Sequence, residues 1–472
     1  MGKKRKRKRR RNQEGGRRQQ ALSYTPLNPL RRPKAKKRRP QKNSKINEYQ
    51  GHVVHERGET IPRLDPNNIT ARQFFDEYVA KRRPAIFKST PDCKQFNLNK
   101  WKGPEGLDYL KRRAGSCDLE VEIKDRDGNF GTGLPKRAMK FKNFIETISE
   151  GSTGLYLTTQ GEEDGPIVAP PACMFKGDIP SRPSILGNLL PHRVNLWMGC
   201  SAKGASSGLH HDFHDNLYIL IRGRKRFTLF SPSDAEKMHT YGRLSKVFWN
   251  GLIAYGGAAA EEGGNFVDND GGGRRADGAL KRDVAQYELE TATRKLADLQ
   301  ESGAVEDTID AAERRVGREH PRFEPALVME KSGSSSRSKN QEQAAHPPSF
   351  CKIPVPILHR YVQSGVPPPH EFKTLADCTP LQVSVSGGEM LYLPAGWFHE
   401  VSSFGEEASR DGENEGDGKE DSALRPPVHV ALNYWMYPPA QRDFQTPYVD
   451  KYWESVSSER GVWGSATCQD EK

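Results

Sequence analysis

The chain has 472 residues, of which 34% are hydrophobic and 28% are charged, with 44 glycines and 33 prolines. This length allows more than one domain, but the composition is too polar for the whole chain to fold, so parts of it are predicted to be disordered. No apolar run approaches the roughly 18–20 residues that a membrane-spanning helix needs, so no membrane partner is expected.

The positive charge is concentrated in the first 45 residues, which contain 20 Lys and Arg and a single acid, Glu14. Their net charge is +19 within a whole-chain charge of +12, so the rest of the chain is net −7. We predict that residues 1–50 form a basic, disordered tail that contacts import receptors or nucleic acid and places the protein in the nucleus or nucleolus. A merely solubilising tail is the alternative.

Residues 51–250 are predicted to form the first part of the folded domain. Thr70 can cap a helix, and Gln73 completes the pattern of a capping box. Hydrophobic spacing then predicts strands over 119–124 and 154–159, a helix over 138–149, and a strand-rich stretch from 194 to 230.

Two insertions interrupt the pattern in the second half. Residues 251–345 are rich in glycine and serine, but helical spacing over 280–299 and 309–316 predicts an inserted helical hairpin in a flexible segment. Residues 346–445 resume the domain and contain an acidic loop over 405–421. In the last segment, 446–472, Thr446-Pro447 is predicted to cap a short helix with an apolar side that packs on the core or dimerises.

The stretch GLHHDFHDNLYILIRGRKRF, residues 208–227, contains the strongest candidate ligands. In an extended strand, His210, Asp212 and His214 share one face, and His211 lies on the other. A His-x-Asp pair on a strand can form half of a metal site, although such a pair is a weak signal alone. Arg222-Gly223 is predicted to be a two-residue hairpin turn.

That hairpin would pair Lys225 with Leu220 and direct the lysine into the pocket that contains His210, Asp212 and Asn216. A buried lysine beside a metal site needs an anion to compensate its charge. The stretch GGEMLYLPAGWFHEVSS offers a third ligand, His399, since a jelly roll brings distant strands around one pocket. Two histidines and one carboxylate on one side of a metal are typical of non-haem Fe(II) oxygenases. The predicted fold is α+β and mainly β, a double-stranded β-helix with N-terminal helices and strands.

Together, the His-x-Asp pair, the lysine fifteen residues later, LPAGWFH and LNYWMY resemble the JmjC hydroxylases with a cupin-like core. The resemblance covers about residues 60 to 437 without the insertions. It implies Fe(II) held by His210, Asp212 and His399, with 2-oxoglutarate and O₂ as cosubstrates. It further implies a set of cosubstrate contacts and pocket walls: Lys225, Ser207, Tyr156, Asn216 and Asn433 as contacts, and Trp197 and Trp397 as walls. His211, His214 and His429 are interpreted as polar residues of the shell or mouth, and His214 is the alternative ligand.

The resemblance implies a dioxygenase that hydroxylates a protein side chain, and the basic tail predicts that it acts in the nucleus. Three alternatives stay open: a hydroxylase of RNA bases, a demethylase of histone or protein N-methyl groups, and a catalytically silent cupin-like binding protein. The three ligands and Lys225 favour an enzyme.

Overall fold

The computed structural model describes residues 46–90, 96–103, 105–125, 130, 136–256, 273–317, 346–405 and 426–464. The chain divides into two units, Met1–Ser44 and Lys45–Lys472, and every described residue belongs to the second. The predictions for the basic tail and the acidic loop therefore lie outside the described residues, apart from 46–50 and Gly405.

A nine-stranded sheet forms one layer of the fold. In spatial order its strands are β1 (Arg63–Leu64), β2 (Ala85–Phe87), β14 (Met390–Leu393), β9 (Asp215–Arg222), β16 (Val428–Met436), β6 (Pro191–Cys200), β5 (Leu155–Leu157), β3 (Asp118–Ile123) and β4 (Arg137–Lys140). Strand β9 lies between β14 and β16, which follow the long insertion. The chain segments on either side of the insertion therefore build one sheet together.

A five-stranded sheet forms the facing layer. Its strands are β13 (Leu381–Ser386), β10 (Arg224–Phe230), β15 (Phe398–Phe404) and β7 (Ala205–Ser206), with β8 (His210–His211) also paired to β15. A separate antiparallel pair contains β11 (Arg243–Val247) and β12 (Ile253–Gly256). Strand β15 is thus the central support for β7, β8 and β10.

Apolar side chains of both sheets pack between the layers. Tyr218 of β9 and Phe227 of β10 belong to this inner cluster, whereas Leu217 and Ile219 of β9 pack on the other side of the large sheet. Because both faces of β9 are covered, all its residues are buried, and its central stretch 217–221 is hydrophobic without alternation. The two layers confirm the predicted mainly-β jelly roll.

Short helices cover the outer face of the nine-stranded sheet. The capping box predicted at Thr70 and Gln73 is present, and it starts α1 (Ala71–Phe74), which continues as a π-helical turn over Phe75–Val79. The remaining helices before the insertion are α2 (Gly106–Ala114), α3 (Phe141–Ser149) and the 3₁₀ turns Leu98–Trp101, Ala172–Phe175, Ser184–Leu186 and Pro232–Lys237. The helix predicted over 138–149 begins only at Phe141, because the preceding residues form the edge strand β4.

The long insertion is attached to the body at its N-terminal side. Residues 253–256 form β12, and Asp277 and Ala279 are buried. Helix α4 (Lys281–Glu301) follows and buries only Val284 and Ala292, and residues 306–317 are also helical. Among the described residues 293–317, no side chain is buried. The part of the insertion that leaves the body therefore starts after Ala292.

The strands that flank Arg222-Gly223 do not form the predicted hairpin. Strand β9 pairs with β14 and β16, whereas β10 pairs with β13 and β15, so the chain passes from one layer to the other at this point. Gly223 has φ +92, and a Cβ there would lie 2.5 Å from the carbonyl oxygen of Phe404. The prediction was wrong because long-range partners occupy both sides of each strand.

The C-terminal helix also starts later than predicted. After α5 (Val355–Ser364) and the 3₁₀ segment His370–Asp377, α6 (Tyr452–Arg460) begins six residues beyond Thr446, with Lys451 as its N-cap. The preceding Tyr448 is buried instead and donates to the carbonyl of Tyr437 at 2.9 Å. None of the described helices is long and apolar enough to cross a membrane.

Candidate metal and anion site

Two histidines and an aspartate converge between the two sheets. Strand β8 pairs with β15 so that His210 lies directly opposite His399, which places their side chains on the same face. Asp212 follows β8, and one ligand atom from each of the three residues lies within 4.8 Å of the others. This donor set of two imidazoles and one carboxylate fits Fe(II).

Backbone carbonyls orient both imidazoles for metal binding. His210 Nδ1 lies 3.0 Å from the carbonyl of Gly208, and His399 Nδ1 lies 2.9 Å from that of Trp397. Because a carbonyl only accepts, each Nδ1 carries the proton and each Nε2 keeps the lone pair that a metal needs. Burial and the neighbouring His399 lower the pKa of His210 to about 4, so its imidazole is neutral at physiological pH.

The other two histidines of the stretch 208–227, His211 and His214, lie outside this group. The strand ends at His211 and the next begins at Asp215, so the predicted alternation does not extend to His214. His211 Nε2 lies 2.6 Å from the hydroxyl of Tyr255. His214 stacks on His192 with ring centroids 4.1 Å apart. The structure thus brings together the three residues that the resemblance implies and places His214 elsewhere.

Lys225 is a buried cation in the same cavity. It lies opposite Ser403 of β15, and its Nζ contacts the Ser403 Oγ at 2.5 Å and the Tyr156 hydroxyl at 3.3 Å. Within the described part of the chain, Lys225 forms no ion pair, and burial lowers its pKa to about 7. A buried ammonium without a counter-ion is costly, so this position fits an anionic ligand.

Two unsatisfied polar atoms lie beside Lys225. The Tyr218 hydroxyl and His429 Nδ1 are buried and have no hydrogen-bond partner among the residues that the structure describes. Burial and then Tyr156 raise the pKa of Tyr218, while burial and then Lys225 lower that of His429. A bound carboxylate at Lys225 is the kind of group that the hydroxyl could satisfy. This part of the site therefore fits the far carboxylate of 2-oxoglutarate.

The predicted asparagines interlock along the cavity wall. Asn433 donates to Asn216 at 3.0 Å, and its oxygen accepts from Asn195 at 2.9 Å and from the Trp197 indole at 3.0 Å. This network holds the half-buried Trp197 at the cavity, whereas the predicted wall residue Trp397 is fully buried in the core between the sheets. The asparagines therefore orient one another and the Trp197 wall.

Ser207 has contacts different from those that the resemblance implies. Its hydroxyl donates to the carbonyl of Gly208 at 3.0 Å and accepts from the amide of Val401 at 3.1 Å. The serine hydroxyl at Lys225 is that of Ser403. Sequence reasoning missed Ser403 and Tyr218, although each shares strand parity with a candidate, His399 and Asn216 respectively.

These sheets and this donor set define a jelly roll with a candidate metal site, and the comparisons place it in a family. The chain belongs to the cupin-like domain family, whose model matches residues 71–442. Its relatives are JmjC proteins, and members of this JmjC group are typically Fe(II)- and 2-oxoglutarate-dependent oxygenases.

Three relatives show how far the similarity extends. JmjC domain-containing protein 4 of Schizosaccharomyces pombe is 30% identical over 465 residues, which cover 86% of this chain and 91% of the relative. The human bifunctional peptidase and (3S)-lysyl hydroxylase JMJD7 is 27% identical, over 37% of this chain and 55% of the relative. The mouse tRNA wybutosine-synthesizing protein 5 is 23% identical, over 40% of this chain and 60% of the relative. Relatives whose names describe different activities are therefore similar in sequence to this chain.

Proposed function

We propose that this protein is an Fe(II)- and 2-oxoglutarate-dependent dioxygenase that hydroxylates a protein side chain. The observation that carries the proposal is the combination of the triad with an uncompensated buried lysine in one cavity. His399 and the Lys225 partner Ser403 are four residues apart on β15, about 13 Å along the strand. Side chains from both positions extend into this interval, which suits a dicarboxylate that chelates a metal at one end.

The chain's own residues perform the binding and the positioning. His210, Asp212 and His399 would hold the iron, and Lys225 would bind the far carboxylate with a charge-assisted hydrogen bond in a site that excludes water. Iron with 2-oxoglutarate supplies the oxygen activation that no side chain provides. Tyr156 and Ser403 fix the Lys225 ammonium, and Trp197 closes the wall.

An acidic loop held by Arg193 of β6 favours a polypeptide substrate over RNA. Arg193 donates to the carbonyls of residues 160–163, and Arg460 donates to that of Gly165, which fixes a loop with three exposed acids, Glu162, Glu163 and Asp164. Arg193 lies opposite Trp435, and the Trp435 ring stacks near His214, two residues after the ligand Asp212. Carboxylates at this position repel a phosphate backbone and attract a basic polypeptide segment.

The names of the relatives include enzymes that act on proteins and enzymes that act in tRNA wybutosine synthesis. One is a lysyl hydroxylase, two plant relatives are lysine-specific demethylases, and one group acts in tRNA wybutosine synthesis. Hydroxylation of a basic protein side chain agrees with the acidic loop and with the lysyl hydroxylase among the relatives. We also propose that the basic tail directs the protein to the nucleus.

Succinate formation tests the oxygenase proposal directly. The full chain with Fe(II), 2-oxoglutarate and nuclear extract should release succinate, and His210→Ala should abolish the release. His239→Ala is a matched control, because this imidazole contacts Thr374 and lies outside the triad. A wild-type chain that releases no succinate would favour the silent binding protein.

Mass spectrometry of the same extract identifies the reaction. We expect peptides that gain one oxygen atom with wild-type protein and not with His210→Ala. Loss of a methyl group with formaldehyde release would show a demethylase instead. Oxygen addition confined to nucleosides would show an RNA hydroxylase.

A further inference from the structure

A fully buried ion pair lies behind the triad. Arg82 and Asp215 are both inaccessible to solvent, and the guanidinium donates to both carboxylate oxygens. The same carboxylate accepts two further hydrogen bonds, from the Tyr392 hydroxyl at 2.7 Å and from the backbone amide of Ala395 at 2.9 Å. The guanidinium also donates to the carbonyl of Asn250 at 2.7 Å. Buried pairs contribute little net stability against apolar replacements, so stability alone is a weak reason for this network.

The network fixes the turn that leads to His399. Three donors of this turn are held: the Ala395 amide by Asp215, the Gly396 amide by the Asp212 carbonyl at 2.9 Å, and the Trp397 indole by the Arg82 carbonyl at 3.1 Å. The carbonyl of Trp397 then accepts from His399 Nδ1. Two of these contacts involve metal-ligand candidates directly, Asp212 through its carbonyl and His399 through its Nδ1.

The same carboxylate lies three residues after Asp212. Asp215 begins β9, whereas His210 belongs to β8, so Asp215 anchors the link between these strands that contains Asp212. One ion pair therefore holds the start of β9, three residues after Asp212, and contacts the turn before His399 through the Ala395 amide.

We propose that Arg82 and Asp215 are positioning residues that determine the metal affinity of the triad. This inference rests on the proposed function only in requiring that the triad bind a divalent metal. Loss of the pair lets the turn before His399 shift relative to Asp212, because the Ala395 amide loses its carboxylate acceptor and the Arg82 backbone, whose carbonyl accepts from Trp397, loses its side-chain anchor. The expected effect is that of other supports behind metal ligands, about 10- to 100-fold in affinity.

Mn(II) titration of the full chain tests the inference with Asp215→Asn. The matched control is Asp178→Asn, because Asp178 is also buried and accepts from Trp101 and Tyr109, but in the outer-face core. Both variants should unfold at lower temperature than wild type. Only Asp215→Asn should weaken Mn(II) binding about tenfold or more.

Equal Mn(II) affinities for the two variants would overturn the inference, because the pair would then act on stability alone. If Asp215→Asn does not fold, Tyr392→Phe removes one hydrogen bond to Asp215 without a charge and should weaken Mn(II) binding to a smaller extent. Unchanged affinity in Tyr392→Phe would then count against the inference. A wild-type chain that binds no Mn(II) would refute the proposed function as well.

Discussion

Replacing Lys225 with Met is expected to stabilise the protein in the absence of cosubstrate and to weaken its binding of 2-oxoglutarate. Lys225 is 1% exposed, and burial lowers its pKa from 10.5 to about 7. The folded chain therefore bears the cost of a buried ammonium below about pH 7. That cost is relieved as the pH rises from about 7 to 10.5, because the unfolded chain holds this proton longer than the folded one. A shift of this size corresponds to at most about 5 kcal/mol.

Methionine has a similar length and no charge. It removes the cost of the charge but leaves the hydroxyls of Ser403 and Tyr156 without their partner, at about 1 kcal/mol each. The variant should thus be more stable than wild type by up to about 3 kcal/mol near pH 6, and the difference should reverse sign above about pH 9. Loss of a hydrogen bond to a charged group should weaken 2-oxoglutarate binding about 10- to 100-fold.

Urea unfolding across this pH range measures the stability difference, and calorimetric titration of 2-oxoglutarate in the presence of Mn(II) measures the affinity. Lys246→Met is the control, because Lys246 is partly exposed and pairs with Glu48 at 3.1 Å. It should change stability by less than about 1 kcal/mol at any pH and leave the affinity unchanged. A Lys225→Met variant that is less stable than wild type near pH 6, or that binds 2-oxoglutarate normally, would refute the reasoning.

Three further perturbations follow from the fold. Gly396→Ala should abolish Mn(II) binding, because Gly396 has φ +77 and a Cβ would lie 1.8 Å from the carbonyl oxygen of Gly251. A variant that binds Mn(II) as tightly as wild type would contradict this prediction. Replacing residues 293–345 with a short Gly/Ser linker should preserve Mn(II) binding and melting temperature, whereas a deletion that starts at residue 273 should lower the melting temperature by removing buried Asp277 and Ala279. Residues 1–45 fused to a reporter should concentrate it in the nucleus and bind polyanions with an affinity that falls as salt rises, and a cytoplasmic reporter would leave only the solubilising interpretation.

The local signals in the sequence were sufficient to find the elements that depend on neighbouring residues. The capping box at Thr70 depends on residues three apart, and the structure has it. The helix over 138–149 was placed correctly except at its start, because pairing of β4 with β3 extends the backbone up to Lys140. Residues 138–140 do not themselves indicate that they pair with β3, so the later start of this helix could not be predicted from them.

The interpretation of Lys225 shows how a correct position can follow from a wrong pairing. The predicted hairpin placed Lys225 opposite Leu220, whereas its partners are Val385 and Ser403 in the other sheet. Both arrangements direct the side chain between the layers, since the alternation along β10 fixes which residues share a face. The face was thus predictable from strand parity, but the hydroxyl that contacts the ammonium was not.

The residues that position the triad could not be predicted either, because their contacts join residues that are far apart in the sequence. Asp215 lies in the acidic and histidine-rich stretch, five residues after His210, and strand alternation alone predicts the face opposite His210 for it. Its donors Arg82, Tyr392 and Ala395 are 133, 177 and 180 residues away in sequence. Short motifs can mark a metal ligand because ligand chemistry limits the residue types. A positioning residue acts through the donors that the folded chain brings to it. The role of Asp215 therefore becomes visible only in the structure, where the amide of Ala395 contacts it at the start of β9.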